Sequence, residues 1–120
     1  MASKFCVSLT RAKDNTDKAT VGFVIANAAL GCDQDTMVFL STEGVRLAVE
    51  GYADDIHEEG FAPLKQLMGS FVEGGGTILV CSPCFNKRKL DESKLFAGAK
   101  IVGGATLVEF LADGSPCVSF

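Results

Sequence analysis

The chain has 120 residues, 48% of them hydrophobic and 22% charged, which fits one domain spanning 1–120 and excludes an intrinsically disordered chain. Its 15 acidic and 11 basic residues give a net charge of −4, so it lacks the basic excess that nucleic-acid binding requires. The five cysteines are an odd number and no secretory signal is visible, which predicts reduced thiols in a cytoplasmic protein without a membrane span.

Apolar runs that alternate with helical patterns predict the order of secondary structure. The runs bounded by turn residues predict strands at 4–9, 36–40, 77–81, 100–102 and 116–120. Helical spacing predicts helices at about 17–30, 61–71, 82–90 and 103–111, with a short helical piece at 45–49. The segment 14–17 offers several capping residues for the start of the first helix. Strands that alternate with helices form βαβ crossovers, so the sequence predicts a mostly parallel α/β sheet of about five strands with helices on both faces.

The first predicted helix is apolar on nearly every side. A helix inside a single domain usually has one apolar stripe that faces the core. The pattern therefore indicates a second contact surface for this helix, such as another subunit.

The segment with the clearest chemical potential is Cys81-Ser82-Pro83-Cys84, at the end of the third predicted strand. Ligands of open α/β sheets bind at the carboxyl ends of the strands. Ser82 is a preferred N-cap residue and Pro83 a preferred first helical residue, which would put Cys84 in the first turn of a helix. Free N–H groups and the helix dipole favour a thiolate there. Cys84 is the predicted nucleophile, and Cys81 is its possible resolving partner.

Positive charge follows the cysteine pair. Lys87 and Arg88 come three and four residues after Cys84, a spacing that puts them on the same helical face. With Ser82, they are the predicted binding residues for a substrate or anion. Their charge would also favour the ionised form of the thiol.

Metal and cofactor chemistry have less support in the sequence. One Cys-x-x-Cys pair is half of a zinc site, and His57 is the only histidine, so a zinc ion would have to recruit Cys6, Cys32 or Cys117. Those three cysteines stand in apolar or turn surroundings and are predicted to be packed. Phosphate-binding glycine motifs are absent from the sequence. We therefore expect neither a metal nor a cofactor.

A thioredoxin-type site also uses Cys-x-x-Cys at the start of a helix, which keeps a dithiol oxidoreductase open as an alternative. Two features of the sequence differ from that type of site. Val80 occupies the position before the motif, where an aromatic residue is usual, and the motif follows the third predicted strand.

The sequence resembles the DsrE/DsrF-like family of small sulfur-relay proteins, which includes proteins labelled predicted peroxiredoxins. The resemblance covers almost the whole chain and is carried by residues 38–45, by 51–53 and above all by Val-Cys-Ser-Pro-Cys at 80–84 with Arg88 downstream. It implies a flavodoxin-like three-layer sandwich without flavin, homotrimers or homohexamers, and a cysteine that holds sulfane sulfur as a persulfide. The matching cysteine here is Cys84. Many members have one cysteine at this position, whereas this chain also has Cys81.

The leading hypothesis is a sulfur carrier or sulfurtransferase. Cys84 would accept sulfane sulfur and pass it to a thiol of a partner protein, while Cys81 would tune or resolve the persulfide. The alternatives are a non-catalytic oligomeric binding or scaffold module and a dithiol oxidoreductase that uses Cys81 and Cys84.

Overall fold

A computed structural model describes residues 3–120 and contains a five-stranded sheet in which all neighbouring strands are parallel. The strands are β1 (Lys4–Leu9), β2 (Asp35–Leu40), β3 (Thr77–Cys81), β4 (Ala99–Val102) and β5 (Cys117–Ser119). The helices are α1 (Thr16–Gly31), α2 (Leu64–Glu73), α3 (Ser82–Lys87) and α4 (Gly104–Leu111), with 3₁₀ helices at Thr42–Ala48, Tyr52–Asp55 and Glu92–Lys94. The predicted α/β class is confirmed, and each predicted strand is present.

The strand order β4-β3-β2-β1-β5 explains why the helices divide between two faces. Parallel crossovers are almost always right-handed. The connections from β1 through β4 step in one direction along the sheet and place α1, α2 and α3 on one face. The connection from β4 to β5 steps back past β1 and places α4 on the other face. The three-layer arrangement follows from this order.

The alternation of side chains along the strands divides the core into two clusters. The larger cluster lies between the sheet and α1, α2 and α3, and its strand residues are Val7, Leu9, Val38, Leu40, Ile78 and Val80. The rings of Phe23 and Phe71 pack edge to face within it, with centroids 5.9 Å apart. The smaller cluster lies under α4 and consists of Cys6, Met37, Phe39 and Leu79. β2 lies at the centre of the sheet and contributes to both clusters.

Several helix boundaries differ from the prediction, and the helix predicted at 82–90 ends at Lys87. Ser82 is the first residue of α3 and Cys81 is its N-cap, so the prediction of Ser82 as the N-cap is wrong by one position. Phe61 precedes α2 and is 36% exposed. Pro63, the N-cap of α2, has the extended conformation φ −53°, ψ 142°, and a proline also disfavours helix in the residue before it.

The start of α1 is fixed by a residue in the predicted capping segment. The Asn15 side chain accepts a hydrogen bond from the Lys18 N–H, which satisfies one free donor of the first turn.

Near the carboxyl end of α1, an apolar depression of about 320 Å³ is lined by Phe5, Ile25, Ala28, Ala29, Cys32 and Gln34. Across residues 3–120, we find no helix with both the length and the apolar character needed to cross a membrane.

Candidate functional site

The predicted site lies where β2 and β3 end side by side. Leu40 of β2 is in register with Val80 of β3, so the turn after β2 and the start of α3 leave the sheet at the same edge. The 3₁₀ helix Thr42–Ala48 packs against α3 there. Two segments far apart in sequence therefore surround the Cys81–Cys84 pair.

Cys84 is the residue whose ionisation is favoured at this edge. Its partial burial opposes ionisation, but a hydrogen bond from the Thr42 backbone N–H, a hydrogen bond from Cys81 and the charges of Arg88 and Lys87 outweigh it. The pKa of Cys84 is consequently below its ordinary value of 9.0. This agrees in direction with the sequence argument, although a principal hydrogen bond comes from the neighbouring turn and not from α3 itself.

Thr42 donates that hydrogen bond from an unfavourable backbone conformation. Its φ is +50°, which is rare for a β-branched residue and costs conformational energy. The single proton of the Thr42 hydroxyl is shared between the carbonyl oxygens of Thr10 at 3.0 Å and Ser41 at 2.7 Å. These contacts hold the residue in the conformation that directs its N–H at Cys84.

Cys81 differs from Cys84 in its protonation. Burial raises the pKa of the Cys81 thiol, and its hydrogen bond with Cys84 and the negative charge of an ionised Cys84 raise it further. Cys84 therefore ionises before Cys81, which stays protonated. A protonated Cys81 can donate a hydrogen bond to the Cys84 thiolate.

Arg88 is held beside Cys84 by an ion pair with Glu43. Its Nε lies 2.7 Å from Glu43 Oε2, and its Nη1 donates to the Cys84 carbonyl oxygen at 3.2 Å. Glu43 Oε1 also accepts from Arg46 Nε at 2.9 Å. The hydrogen bond from Arg88, followed by that from Arg46, lowers the pKa of Glu43 despite its partial burial. Only 16% of the Arg88 side chain is exposed, so its charge is less screened than that of a free surface arginine.

The other predicted binding residues lie on the exposed side of α3. Lys87 is exposed, and its charge contributes to the low pKa of Cys84. The Ser82 hydroxyl accepts a weak hydrogen bond from Asn86 Nδ2 at 3.4 Å. The structure thus brings Cys81, Cys84 and Arg88 together, while Ser82 is paired with another residue of its own helix.

Thr42 and Glu43 have no predicted role in the sequence. Both lie in residues 38–45, one of the segments that carry the family resemblance. They follow β2, the strand next to β3, so placing β2 beside β3 would have pointed to them. Their contacts with Cys84 and Arg88 depend on tertiary structure and leave no local pattern.

The remaining cysteines differ in exposure. Cys6 is buried, as predicted, but Cys32 and Cys117 are exposed, so the prediction that these two are packed is wrong. Cys32 follows α1 as its C-cap, where the chain leaves the core. Cys117 belongs to the short edge strand β5, all of whose residues are exposed.

Replacing Arg88 with glutamine is expected to raise the pKa of Cys84, because it removes a positive charge and leaves the Glu43 carboxylate close by. The rate of alkylation by iodoacetamide should rise with pH through an inflection below 9.0 in the parent protein, because the thiolate is the reacting form. In Arg88→Gln the inflection should move upward and alkylation at pH 7 should slow several-fold. Peptide mass spectrometry follows Cys84 separately from the other cysteines.

Lys89→Gln is the matched control for this experiment. It removes the same charge one residue further on, from a side chain that is not among the main causes of the shift at Cys84. Equal displacement of the inflection by both variants would show that general surface charge, and not the held guanidinium, lowers the pKa of Cys84.

Comparison with known proteins identifies the family of the chain. The model of the DsrE/DsrF-like family matches residues 3–120. The chain belongs to this family. Membership suggests sulfur relay in general, which agrees with the resemblance in the residues around Cys84.

Two relatives of this DsrE/DsrF-like chain occur in Methanocaldococcus jannaschii, and both are uncharacterised. The protein MJ0760 is 29% identical over 103 residues, which cover 86% of this chain but 38% of MJ0760. The protein MJ0989 is 27% identical over 117 residues, which cover 98% of this chain and 99% of MJ0989. This chain therefore spans less than half of one relative and almost all of the other.

Solved structures resemble this DsrE/DsrF-like chain in fold. The ychN protein of E. coli matches with a TM-score of 0.73 and 15% identity over the full length of both chains. MTH1491 of Methanobacterium thermoautotrophicum matches with a TM-score of 0.70 and 16% identity, covering 98% of this chain and 99% of its own. At these identities the likeness shows the fold alone.

Proposed function

We propose that the protein is a sulfur carrier or sulfurtransferase that holds sulfane sulfur on Cys84. The Cys84 thiolate attacks the outer sulfur of a donor persulfide, the donor's S–S bond breaks, and the donor leaves as a thiolate. A thiolate of a partner protein then attacks the outer sulfur on Cys84. The Cys84 S–S bond breaks, and Cys84 leaves as a thiolate. Neither step requires a net oxidant or reductant.

The observation that carries this proposal is the placement of Cys84 in the first turn of α3, after Cys81 and beside Arg88, where the pKa of Cys84 is lowered and that of Cys81 is raised. A thiolate is the attacking form in sulfur exchange, and a thiol of low pKa is also the better leaving group. Loading of Cys84 uses the first property, and discharge to the partner uses the second. The Thr42 N–H, Lys87 and Arg88 stabilise the Cys84 thiolate, both before it attacks the donor and after it leaves as the partner takes the sulfur.

A dithiol function is the second candidate, because Cys81 is the N-cap of α3 and Cys84 lies in its first turn, and each thiol shifts the pKa of the other. Cys81 could attack the inner sulfur of a Cys84 persulfide, forming a Cys81–Cys84 disulfide and releasing hydrosulfide. That step needs the Cys81 thiolate, and the raised pKa of Cys81 keeps this form scarce at neutral pH. Because the Cys84 thiolate is favoured and the Cys81 thiolate is scarce, we prefer the carrier to both the oxidoreductase and a chemically inert scaffold.

The assembly, the partner and the location belong to the same proposal. The family resemblance supports a homotrimer or homohexamer, and the apolar depression beside Ile25 and Ala28 gives α1 a surface that another copy can cover. The mass of the particle in solution distinguishes the trimer from the hexamer.

A sulfur-relay partner protein would supply the thiol that accepts the sulfur from Cys84. The cytoplasm is the fitting location, because reduced thiols persist there.

Incubation with a sulfane-sulfur donor, followed by intact-mass and peptide mass spectrometry, tests the proposal. We expect the chain to gain one sulfur atom on the peptide that contains Cys84, and to return to its original mass when an acceptor thiol is added. Prompt release of hydrosulfide with formation of a Cys81–Cys84 disulfide would favour the oxidoreductase. Absence of any adduct would favour the scaffold.

A further inference from the structure

A second pair of cysteines lies side by side on β1 and β5. Cys6 and Cys117 are register partners on these neighbouring parallel strands, so both side chains point to the face of the sheet that α4 covers. Neighbouring strands are about 4.8 Å apart, a separation inside the range of about 4.4–6.8 Å between the Cα atoms of disulfide-bonded cysteines. The backbone separation therefore permits a bond between them.

The two thiols are neighbours but differ in access. Cys6 is fully buried, and the Cys117 Sγ donates a hydrogen bond to the Val118 carbonyl oxygen at 3.8 Å. Burial, followed by a side-chain interaction with Cys117 and the charge of Cys117, raises the pKa of Cys6 to about 12. Cys117 is exposed, so a small molecule in solution reaches it first. This pairing of an exposed with a buried thiol suits a two-step exchange.

We propose that Cys6 and Cys117 form a dithiol–disulfide couple, separate from Cys81 and Cys84, whose substrates are low-molecular-weight disulfides. The Cys117 thiolate attacks one sulfur of the small disulfide, forms a mixed disulfide and releases one small thiolate. Once Cys117 is in the mixed disulfide it carries no charge, which removes one cause of the raised pKa of Cys6. Cys6 transfers its proton to the small thiolate just released and attacks the Cys117 sulfur, which releases the second small thiolate. Burial still keeps the Cys6 thiolate scarce, so this second step is the slower one. The protein loses two electrons and two protons, and the small disulfide becomes two thiols.

The site is independent of the persulfide site in space. β2 separates β1 from β3, which puts Cys6 two strand spacings, or about 10 Å, from the strand that ends in Cys81. A Cys6–Cys117 bond would tie the edge strand β5 to β1. The backbone already joins these strands, through bonds from the Cys6 N–H to Pro116 and from the Phe120 N–H to Ser8. Because the bond would close a loop of nearly the whole chain, it should stabilise the folded state.

The test uses the full chain carrying Cys81→Ser and Cys84→Ser, so that the outcome does not depend on persulfide chemistry. This variant is incubated with excess glutathione disulfide, alkylated and digested without reduction. We expect one linked peptide pair containing Cys6 and Cys117, with Cys32 as a glutathione mixed disulfide. The melting temperature of the oxidised variant should exceed that of the reduced one by about 5–10 °C and return on addition of dithiothreitol.

Cys117→Ser in the same background is the control, and its exposed position makes a loss of folding unexpected. It should leave Cys6 as a free thiol and remove the rise in melting temperature. The proposal is wrong if Cys117 stops at a glutathione mixed disulfide while Cys6 stays free, or if Cys117 links two chains. An unchanged or lower melting temperature of the oxidised protein also contradicts it.

Discussion

Cys84→Ser is expected to lower sulfane-sulfur loading by at least about 100-fold, because a serine hydroxyl has neither the acidity nor the nucleophilicity of the activated thiol. Cys81→Ser should retain loading, since the Thr42 N–H and Arg88 still stabilise the Cys84 thiolate. The persulfide should also live longer in Cys81→Ser if Cys81 attacks its inner sulfur. Intact mass after a timed exposure to the donor measures both effects.

Cys32→Ser and Cys117→Ser are the matched controls for this comparison. Each removes one exposed thiol that lies away from the end of β3, so loading at Cys84 should be unchanged. Full loading of Cys84→Ser, followed by transfer to an acceptor, would contradict the assignment of Cys84. Loss of loading in both Cys81→Ser and Cys84→Ser would show that the two thiols act as a dithiol unit.

The fold was predictable because its local signals agree with its tertiary structure. The continuous apolar run of β3 is typical of a strand covered on both faces, and Ile78 and Val80 indeed face one cluster while Leu79 faces the other. Asn15 lies in the predicted capping segment and caps α1. Such agreement between local pattern and global packing is expected of a foldable sequence.

The strand order was not predictable in the same way. No local pattern indicates that β5 pairs with β1, as an edge strand of the sheet, and not with β4. Consequently the exposure of Cys117 and its register with Cys6 could not be foreseen, and Cys117 was predicted to be packed. A three-residue strand carries too little pattern to reveal whether it is central or at an edge.

The direction of the pKa shift at Cys84 was predictable, but its sources were only partly so. Lys87 and Arg88 follow Cys84 in sequence, and their contribution can be read from helical spacing. The hydrogen bond from Thr42 could not be read, because nothing in the sequence indicates that a threonine adopts a φ of +50°. Propensity argues against that conformation, and tertiary contacts with Thr10 impose it. Such conflicts between propensity and structure are common at functional sites.

Gly44→Ala is expected to destabilise the protein by about 3 kcal/mol and to lower its melting temperature by about 10 °C. A methyl group at this position would overlap the carbonyl oxygen of Leu9 and come within 3.1 Å of its carbonyl carbon. The same oxygen accepts a hydrogen bond from the Ser41 N–H, so it cannot move aside cheaply. Relief of the overlap requires the turn after β2 to move away from β1.

That movement should also disturb the site, because Thr42 lies in the same turn. A displaced Thr42 N–H would donate a weaker hydrogen bond to Cys84, so we expect the pKa of Cys84 to rise towards its ordinary value of 9.0. The pH profile of alkylation, measured well below the melting temperature, separates this effect from unfolding. Urea unfolding gives the change in stability.

Gly31→Ala provides the matched control for the close approach at Gly44. Gly31 ends α1, and a methyl group there would meet open space among residues 3–120. Because alanine is the better helix former, this variant should be neutral or more stable by up to about 1 kcal/mol. It should also leave alkylation of Cys84 unchanged. If Gly44→Ala were as stable as Gly31→Ala, the turn after β2 would not be held against β1, and the rigid placement of Thr42 would lose its physical basis.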